Sequence, residues 1–521
     1  MPTYLTPGVY VEEIPAQSKP IEGVGTSICA FVGLAPGGPV NRPMRISNWT
    51  QFAKLYGDPA NPVNGPFMDG AYLAHSVYGF FQNGGGVCWI VRVGSEDGGP
   101  SRQQAALPAA GDKSLETFRA VALDGVDGNI SLELTEEPAA EGKEGEDAQP
   151  TYKLIVTAGS EREEYDGLSI KKGKNNIVTK VNAASKLIQL EETGASLPEA
   201  MRAPAAGTYA LSLPPAPVGE IAPKHFEGDV AKRQGMGSLA AVDEITMVCM
   251  PDIMTLASNG DGDVSVRDLQ GKMIAHCEMA GDRMAILDPP AGLLPQEILD
   301  WRMNTAGYDS KFATLYWPWL EVMNPLTNRP TLVPPSGHVA GVWCRTDSTR
   351  GVHKAPANEV ILGVNGLGFQ ITHEEQGGLN RVGVNCVRSF PGRGIRIWGA
   401  RTLSSDPEWR YVNVRRLFNY ISESIIEGTQ WSVFEPNDQR LWMQLRISIG
   451  NFLTRTWREG ALFGATPEQA FFVKCDSETN PPDVIEAGQV ICEIGISPVK
   501  PAEFVIFRIS QYTAGAAEVS A

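Results

Sequence analysis

The segments 244-EITMVCMPDI-253, 264-VSVRDLQGKMIAHCEMAG-281 and 283-RMAILDPP-290 decide the fold class of this 521-residue chain. The first and third are short apolar runs that end in proline turns, as buried strands do. The segment between them has the length and the patterning of a helix. Because parallel strands must be joined by such crossovers, the stretch predicts a βαβ unit and a parallel sheet.

The same pattern continues outward on both sides. Further buried strands are predicted in 26-TSICAFVGLAPGGP-39, 87-VCWIVRV-93 and 311-KFATLYWPWLEV-322. The sequence from 96 to 235 is instead polar, acidic and rich in short strand patterns, among them 175-NNIVTKV-181. We therefore predict an α/β (α+β) multidomain chain, with an α/β middle domain formed by residues 24–95 and 236–400. An inserted all-β outer domain occupies residues 96–235.

The region from 401 to 500 is predicted to be an α+β domain. A capping box at Ser405–Glu408 opens one helix, and a second helix is expected at about 438–459. The segment 429-TQWSVFE-435 between them is predicted as a strand. Residues 1–23 and 501–521 remain as terminal arms with their linkers.

Composition restricts the class of protein. The formal net charge is −16 and the isoelectric point is near 5.0, which argues against a nucleic-acid or anionic-membrane binder. No apolar run reaches the roughly 20 residues that cross a bilayer, and no signal-peptide pattern opens the chain. The eight cysteines are scattered, and most lie inside apolar strands, as free thiols of a reducing compartment do. Assembly in the cytoplasm is therefore expected.

The catalytic and metal-binding motifs that the sequence suggests are incomplete. The segment 259-NGDGDVSVRDLQ-270 begins like a calcium loop, but Val264 replaces the glycine and Gln270 the bidentate glutamate. The densest group of reactive side chains contains Ser336, His338, Cys344, Arg345, Asp347, Arg350, His353 and Lys354. It is interpreted either as a loop network held by Arg–Asp pairs or as the site of an α/β hydrolase-like enzyme that uses the Ser336–His353 region. We predict no catalytic, cofactor-binding or metal site, and no enzyme.

Both ends of the chain carry a strand pattern without an obvious partner. The N-terminal pattern contains Val9, Tyr10, Val11 and Ile14, and the C-terminal one contains Phe504, Val505, Ile506, Phe507, Arg508 and Ile509. Each strand either folds back on its own chain or is donated to a neighbouring copy, whose sheet it would complete. Two such arms favour polymerisation, because a head-to-tail interface produces an open helical array.

Several segments resemble the contractile tail sheath family, which includes the sheaths of phage tails and of phage-tail-like contractile injection systems. The resemblance is carried by 4-YLTPGVYVEEI-14, 23-GVGTSICAFVGLAPGGP-39, 351-GVHKAPANE-359, 383-GVNCVRSFPGRGIRIWGARTL-403, 409-WRYVNVRRLFNYISESI-425, 431-WSVFEPNDQRLW-442 and 461-ALFGATPEQAFFVKCD-476. It leaves out residues 96–235, the part in which the family varies.

This resemblance implies a structural subunit that polymerises around an inner tube in an extended, metastable state. The sheath would contract without nucleotide hydrolysis and drive the tube through a target envelope. Its partners would be further copies of itself, the tube protein, and baseplate and terminal cap proteins, with no nucleic acid and no membrane insertion. The family implies that the arms add strands to the sheet of another subunit, with hinges at 15–23 and 498–501. The C-terminal domain would lie innermost, where Arg440, Arg446, Arg455 and Arg458 are candidates for contact with the tube.

Overall fold

A computed structural model describes residues 20–58, 65–94, 103–112, 115–123, 126, 130–137, 151–159, 161–171, 173–194, 197–198, 201–211, 221–258 and 262–508. The predicted N-terminal arm residues Val9, Tyr10, Val11 and Ile14 lie outside these ranges, as does Ile509. The other predicted residues of the C-terminal arm are described.

The first segment folds as strands around two helices. Its elements are β1 (Ile28–Gly33), β2 (Met44–Ile46), α1 (Trp49–Tyr56), α2 (Leu73–Gln82) and β3 (Val87–Arg92). Asn48 caps the N-terminus of helix α1, since its side chain accepts a hydrogen bond from the Gln51 amide at 2.8 Å.

The next segment forms two antiparallel sheets with their own hydrophobic core. Its elements are β4 (Gln104–Pro108), β5 (Glu116–Ala122), β6 (Ile130–Glu137), β7 (Thr151–Ala158), β8 (Glu161–Leu168), α3 (Ile177–Ala184), β9 (Ile188–Glu192) and β10 (Gly207–Ala210). One sheet has the order β10-β6-β7-β8 and the other β4-β5-β9.

The prediction that this insertion is all-β was wrong at helix α3. Its β-branched residues indicated a strand, but Asn176 caps a helix by accepting from the Thr179 amide at 3.1 Å. Ile177 and Val181, one turn apart, are both fully buried. Capping and packing therefore outweigh the strand propensity.

The rest of the chain alternates strands and helices. These elements are α4 (Pro223–Glu227), β11 (Met247–Cys249), α5 (Gly262–Ala280), β12 (Met284–Leu287), α6 (Pro295–Asp300), β13 (Ala313–Trp317), β14 (Leu320–Asn324), β15 (Arg329–Val333), α7 (Ser336–Arg350), β16 (Glu359–Val360), β17 (Gly366–Leu367), α8 (His373–Arg381), β18 (Val384–Phe390), β19 (Gly394–Ile397), α9 (Val412–Thr429), α10 (Gln439–Arg458), α11 (Pro467–Ala470), β20 (Phe471–Lys474), α12 (Pro482–Glu486) and β21 (Glu493–Ile496).

The predicted βαβ unit is confirmed and lies in the middle of a large sheet. Strands β11 and β12 pair in parallel with Met247 opposite Met284, and α5 connects them. The sheet has the order β16-β19-β18-β13-β12-β11-β1-β3-β2. The strands from β18 to β3 run parallel, and β2 is antiparallel to β3 at one edge. At the other edge β19 is antiparallel to β18 and β16 is antiparallel to β19, so β16 runs in the same direction as β18.

Helices α2 and α7 pack closely because glycine lies at their contact. A Cβ atom on Gly337 would stand 2.5 Å from the Cα of Ser76, and one on Gly341 would stand 2.4 Å from the carbonyl oxygen of Phe80. Only a residue without a side chain permits this approach.

The predicted strand at 429–435 was wrong. Helix α9 continues to Thr429, and a short 3₁₀ turn, Gln430–Ser432, follows it. Val433 and Phe434 are exposed beyond the turn. Aromatic and β-branched residues favour extended structure, but a strand also needs a neighbour to pair with, and no strand of the described residues pairs with this segment.

The buried apolar side chains of the described residues fall into three clusters. One surrounds the large sheet and draws on residues 29–93 and 226–412. A second lies within 105–211. The third combines Ile21 and Val352 with residues 417–475, between α9, α10 and the sheet of β20 and β21.

Candidate inter-subunit surface

The C-terminal segment is anchored at Glu503. Arg401 holds this carboxylate at both oxygens, from Nε at 2.9 Å and from Nη2 at 2.6 Å. Asn380 Nδ2 donates to it at 2.7 Å and the Tyr411 hydroxyl at 3.1 Å. Burial opposes ionisation of Glu503, but these hydrogen bonds outweigh it and hold its pKa below the usual range.

Beyond this anchor the chain projects an apolar run into solvent. Phe504, Val505, Ile506 and Phe507 are 72%, 69%, 79% and 84% exposed, and they belong to no helix or strand. Arg508 is also exposed. Four consecutive exposed apolar residues are unusual on a protein surface, and exposed apolar patches are typical of interaction sites.

The sheet of β20 and β21 is open at both sides. The two strands pair from Phe471 opposite Ile496 to Lys474 opposite Glu493, and no third strand of the described residues joins them. An isolated two-stranded sheet is marginally stable, and its free N–H and C=O groups are ready to pair with an added strand.

A buried ion pair connects the large sheet to the C-terminal helices. Arg416 of α9 donates to both carboxylate oxygens of Asp347 of α7, at 2.8 and 2.6 Å, and both side chains are 3% exposed. The Thr26 hydroxyl donates to Asp347 at 2.7 Å, while the Thr26 carbonyl accepts from Arg416 at 3.0 Å. The guanidinium also lies 4.7 Å from the ring centre of Trp343.

The described parts of both predicted hinges are docked on the C-terminal helices. Ile21 is 2% exposed, and its carbonyl accepts from Arg455 of α10 at 2.6 Å. Val499 donates to the Ala461 carbonyl at 3.2 Å and accepts from Asn413 at 3.1 Å. The undocked part of the C-terminal segment therefore begins at Phe504, beyond the prolines that the sequence indicated.

The four candidate arginines lie on helix α10 with exposed side chains. Arg440 and Arg458 share its outer face with Met443 and Ile447, which are 48% and 47% exposed. Arg455 lies closer to the packed side, where it bonds the N-terminal segment at Ile21.

The Ser336–His353 region does not form a catalytic site. Ser336 opens helix α7 and is fully buried, whereas His353 follows the end of that helix, so roughly 20 Å of helix separates them. Burial, and secondarily Asp347, raises the pKa of the Cys344 thiol, which leaves it unreactive. The region is instead the scaffold of the Arg416–Asp347 pair.

Two further properties limit the chemistry of the described residues. No group of three His, Cys, Asp or Glu side chains converges there as a metal-ligand set. None of the helices there combines the length and the apolarity that a bilayer crossing requires.

The sequence interpretation missed the anchor and the ion pair. Glu503 meets Arg401 across 102 residues of chain, and Asp347 meets Thr26 across 321. No local pattern signals pairs at such separations. The only hint was the charged Glu503 beside an otherwise apolar run.

Two family models match adjacent parts of the chain. Residues 231–403 match the phage tail sheath protein central domain, and residues 404–511 match the phage tail sheath C-terminal domain. Together they cover more than half of the chain.

Individual sheath proteins are similar over different lengths. The tail sheath protein of Burkholderia phage BcepMu is 24% identical over 96% of this chain and 95% of its own length. That of Vibrio phage KVP40 is 29% identical over 42% of this chain, which spans only 31% of that protein.

Solved sheath structures share the fold. The PVC sheath of an extracellular contractile injection system, in its contracted state, superposes with a TM-score of 0.57 at 23% identity, covering 98% of this chain and 99% of that one. The contracted helical sheath of the anti-feeding prophage superposes with a TM-score of 0.57 at 23% identity, covering 98% and 100%.

Proposed function

The chain belongs to the phage tail sheath protein family, and from this premise we propose that it is the structural subunit of a contractile sheath. Copies would polymerise around an inner tube in an extended, metastable state and contract to drive that tube through a target envelope. The sheath would work with baseplate and terminal cap proteins, assemble in the bacterial cytoplasm, and need no nucleotide hydrolysis. We also propose that its terminal arms link the subunits by strand exchange.

One observation carries the strand-exchange proposal: the exposed apolar run Phe504–Phe507 beyond the Glu503 anchor. This run buries little surface, and it pairs with none of the other residues that the structure describes. Adding it as a strand to another copy would satisfy its backbone groups and cover its side chains.

The acceptor that fits is the two-stranded sheet of β20 and β21. It has two free edges, which matches two donated arms per subunit. Each main-chain hydrogen bond gained contributes about 0.5–1.5 kcal/mol net, so a four-residue strand contributes a few kcal/mol before its side chains are counted. The N-terminal arm, Val9 to Ile14, would take the second edge.

Contraction requires two packings of the same folded subunits. A free-energy difference of about 5.5 kcal/mol moves a two-state equilibrium from 1:99 to 99:1. A small gain in packing free energy per copy therefore suffices when many linked copies change state together. The Glu503 anchor and the docked residue Ile21 would keep the linked ends attached to their own subunit while neighbouring copies rotate.

We propose five parts for the chain, as the sequence suggested: the arms 1–23 and 501–521, the α/β domain 24–95 with 236–400, the inserted outer domain 96–235, and the inner domain 401–500. The three separate hydrophobic clusters support this division. The insertion has its own hydrophobic core and lies between β3 and β11 in the chain.

Helix α10 is the proposed tube contact. Its outer face carries Arg440 and Arg458 around the exposed Met443 and Ile447, a mixture of charge and apolar surface that suits a protein partner. The double substitution Arg440→Glu/Arg458→Glu should give subunits that fold normally but assemble poorly on purified tubes. Normal tube-templated assembly of this variant would reject the contact.

Strand exchange is tested with proline in the exposed run. Proline removes a backbone N–H, and adjacent N–H groups of a strand point to opposite sides, so either Val505→Pro or Ile506→Pro must remove a bond to the acceptor. We expect at least one of the two to abolish tubes and rings in negative-stain electron microscopy. The matched control Val505→Thr keeps the N–H and the strand propensity and should assemble.

The monomer gives the second control. Because residues 504–507 are exposed, the proline variants should retain the circular dichroism spectrum and melting temperature of the wild type. Full-length sheaths from both proline variants, or from a chain lacking residues 502–521, would refute strand exchange.

A further inference from the structure

Two cysteines face each other at the end of the β20–β21 sheet. The last paired residues of these strands are Lys474 and Glu493. The next step of the same antiparallel register places Cys475 opposite Cys492, just beyond the ladder. A cross-strand cysteine pair was not apparent from the scattered spacing in the sequence.

The hydrogen-bond pattern between β20 and β21 shows whether Cys475 and Cys492 form a hydrogen-bonded or a non-hydrogen-bonded pair. The Ser497 amide donates to the Ala470 carbonyl at 2.8 Å, so that pair is a hydrogen-bonded one. Hydrogen-bonded and non-hydrogen-bonded pairs alternate along an antiparallel ladder. Counting five steps from Ala470, Cys475 and Cys492 occupy a non-hydrogen-bonded site, where Cα atoms are about 4.5 Å apart. That separation lies within the range of natural disulfides, about 4.4–6.8 Å.

The surroundings bring the thiols together and leave one of them accessible. The strand register sets the two side chains opposite each other, and each thiol shifts the pKa of the other. Cys475 is buried and Cys492 is half-buried. Asn480 ties the connecting loop down, since its Nδ2 lies 3.8 Å from the Cys475 sulfur and donates to the Ile491 carbonyl at 3.0 Å.

We infer that Cys475 and Cys492 are a modification site, a dithiol that closes to a disulfide when the protein meets a small-molecule disulfide. The half-buried Cys492, as thiolate, attacks one sulfur of the oxidant and releases one thiolate of it. Cys475 loses its proton to solvent and attacks the resulting mixed disulfide. The second thiolate then leaves. Two protein thiols are oxidised by two electrons, and the small disulfide is reduced to two thiols.

The reaction is slow at neutral pH. Burial, and then the neighbouring Cys475, raises the pKa of the Cys492 thiol to about 12. Only the thiolate attacks, so the initial rate should rise about tenfold per pH unit while the pH stays below that pKa.

Another close pair of sulfurs in the described residues provides an internal comparison. The sulfurs of Cys29 and Cys249 are 3.6 Å apart, but both residues are fully buried in the large sheet. Their register is also offset, because Cys249 is opposite Phe31 and Cys29 is opposite Met247. An oxidant cannot reach this pair without unfolding the sheet.

The consequence of the disulfide rests on the proposed function. A bond between Cys475 and Cys492 would tie together one end of β20 and β21, the proposed acceptor of the donated strands. A pre-organised acceptor would lose less conformational entropy on strand addition. The disulfide would then stabilise a sheath that has left the reducing cytoplasm.

The experiment uses the full-length chain, purified in reductant and transferred to oxidised glutathione. Intact mass should fall by two hydrogens, and mapping after alkylation should recover a linked peptide containing both cysteines. Hydrogen exchange at Glu493–Ile496 should slow several-fold. Cys492→Ser and Cys475→Ser should each abolish the linked peptide, and Cys29→Ser should leave it intact.

Two results would overturn the inference. Either both cysteines stay free while unfolded protein reacts, or Cys492 retains glutathione because Cys475 never displaces it. This chemistry is measured on unassembled subunits, so it does not depend on sheath formation. If Cys475→Ser/Cys492→Ser assembles normally and the proline variants do not, the proposed function stands on its own.

Discussion

Removing the carboxylate of the Arg416–Asp347 pair should destabilise the junction between the large sheet and helix α9 severely. Asp347→Ala leaves Arg416 charged in a site where its side chain is 3% exposed. Of the contacts that the described residues make with the guanidinium, the Thr26 carbonyl and the Trp343 ring would then remain. Breaking a buried pair on one side costs about 3–5 kcal/mol, because the remaining charge is desolvated without compensation.

Native-state hydrogen exchange suits this measurement, because a chain with three hydrophobic clusters is not expected to unfold in a single step. A loss of 3–5 kcal/mol corresponds to amide exchange that is about 10²- to 4 × 10³-fold faster. The effect should be concentrated in α9, the end of α7 and the start of β1, and it should be small in the insertion.

A matched control comes from the exposed Lys474–Glu478 pair, whose side chains are 39% and 76% exposed. Glu478→Ala should change stability by less than about 1 kcal/mol. The double substitution Asp347→Leu/Arg416→Met, which removes both charges, should recover part of the loss. If Asp347→Ala matched Glu478→Ala within a few-fold in exchange rate, the reasoning about this pair would be refuted.

Two other predictions concern stability. Gly337→Ala should lower the free energy of unfolding by about 1–3 kcal/mol, since its Cβ would stand 2.5 Å from Ser76. Gly271→Ala should raise it by about 0.5–1 kcal/mol, because a Cβ at this helix position meets nothing within 4 Å. Thermal denaturation of both variants shows whether each change has the expected direction. Burial raises the pKa of Asp288 to about 7, so the folded state favours the protonated carboxyl. This contribution to stability is complete below pH 3.8 and is lost as pH rises through 7. Asp288→Asn should therefore be more stable than the wild type at pH 8, by up to about 1.4 kcal/mol per unit of the shift, and lose this advantage in acid; a wild-type advantage at pH 8 would contradict the assignment.

Several elements followed from local patterns. The βαβ unit at 244–290 was predicted because a buried strand and a crossover helix each have a distinct periodicity. Helix α10 was predicted at about 438–459 and spans Gln439–Arg458, since Asp438 caps it and apolar residues recur at helical spacing. The family resemblance, which the domain models confirm, rested on segments spread over the same regions.

Two errors share one cause. Residues 175–181 and 429–435 both contain β-branched or aromatic residues, and both were predicted as strands. Neither joins a sheet of the described residues. Instead, Asn176 caps helix α3, and helix α9 continues to Thr429. Strand formation is a non-local property, so propensity alone could not decide these segments.

The sequence by itself determined the buried strands of the βαβ unit, the long helix α10, and the apolar character of the C-terminal run, because these features depend on periodicity and composition within a few residues. Only the tertiary structure decided that the free part of that run starts beyond Glu503, that Arg416 and Asp347 hold the junction, and that Cys475 faces Cys492. Each of these depends on which side chains meet across a long stretch of chain. Such meetings are set by strand register and helix packing, which involve the whole fold at once.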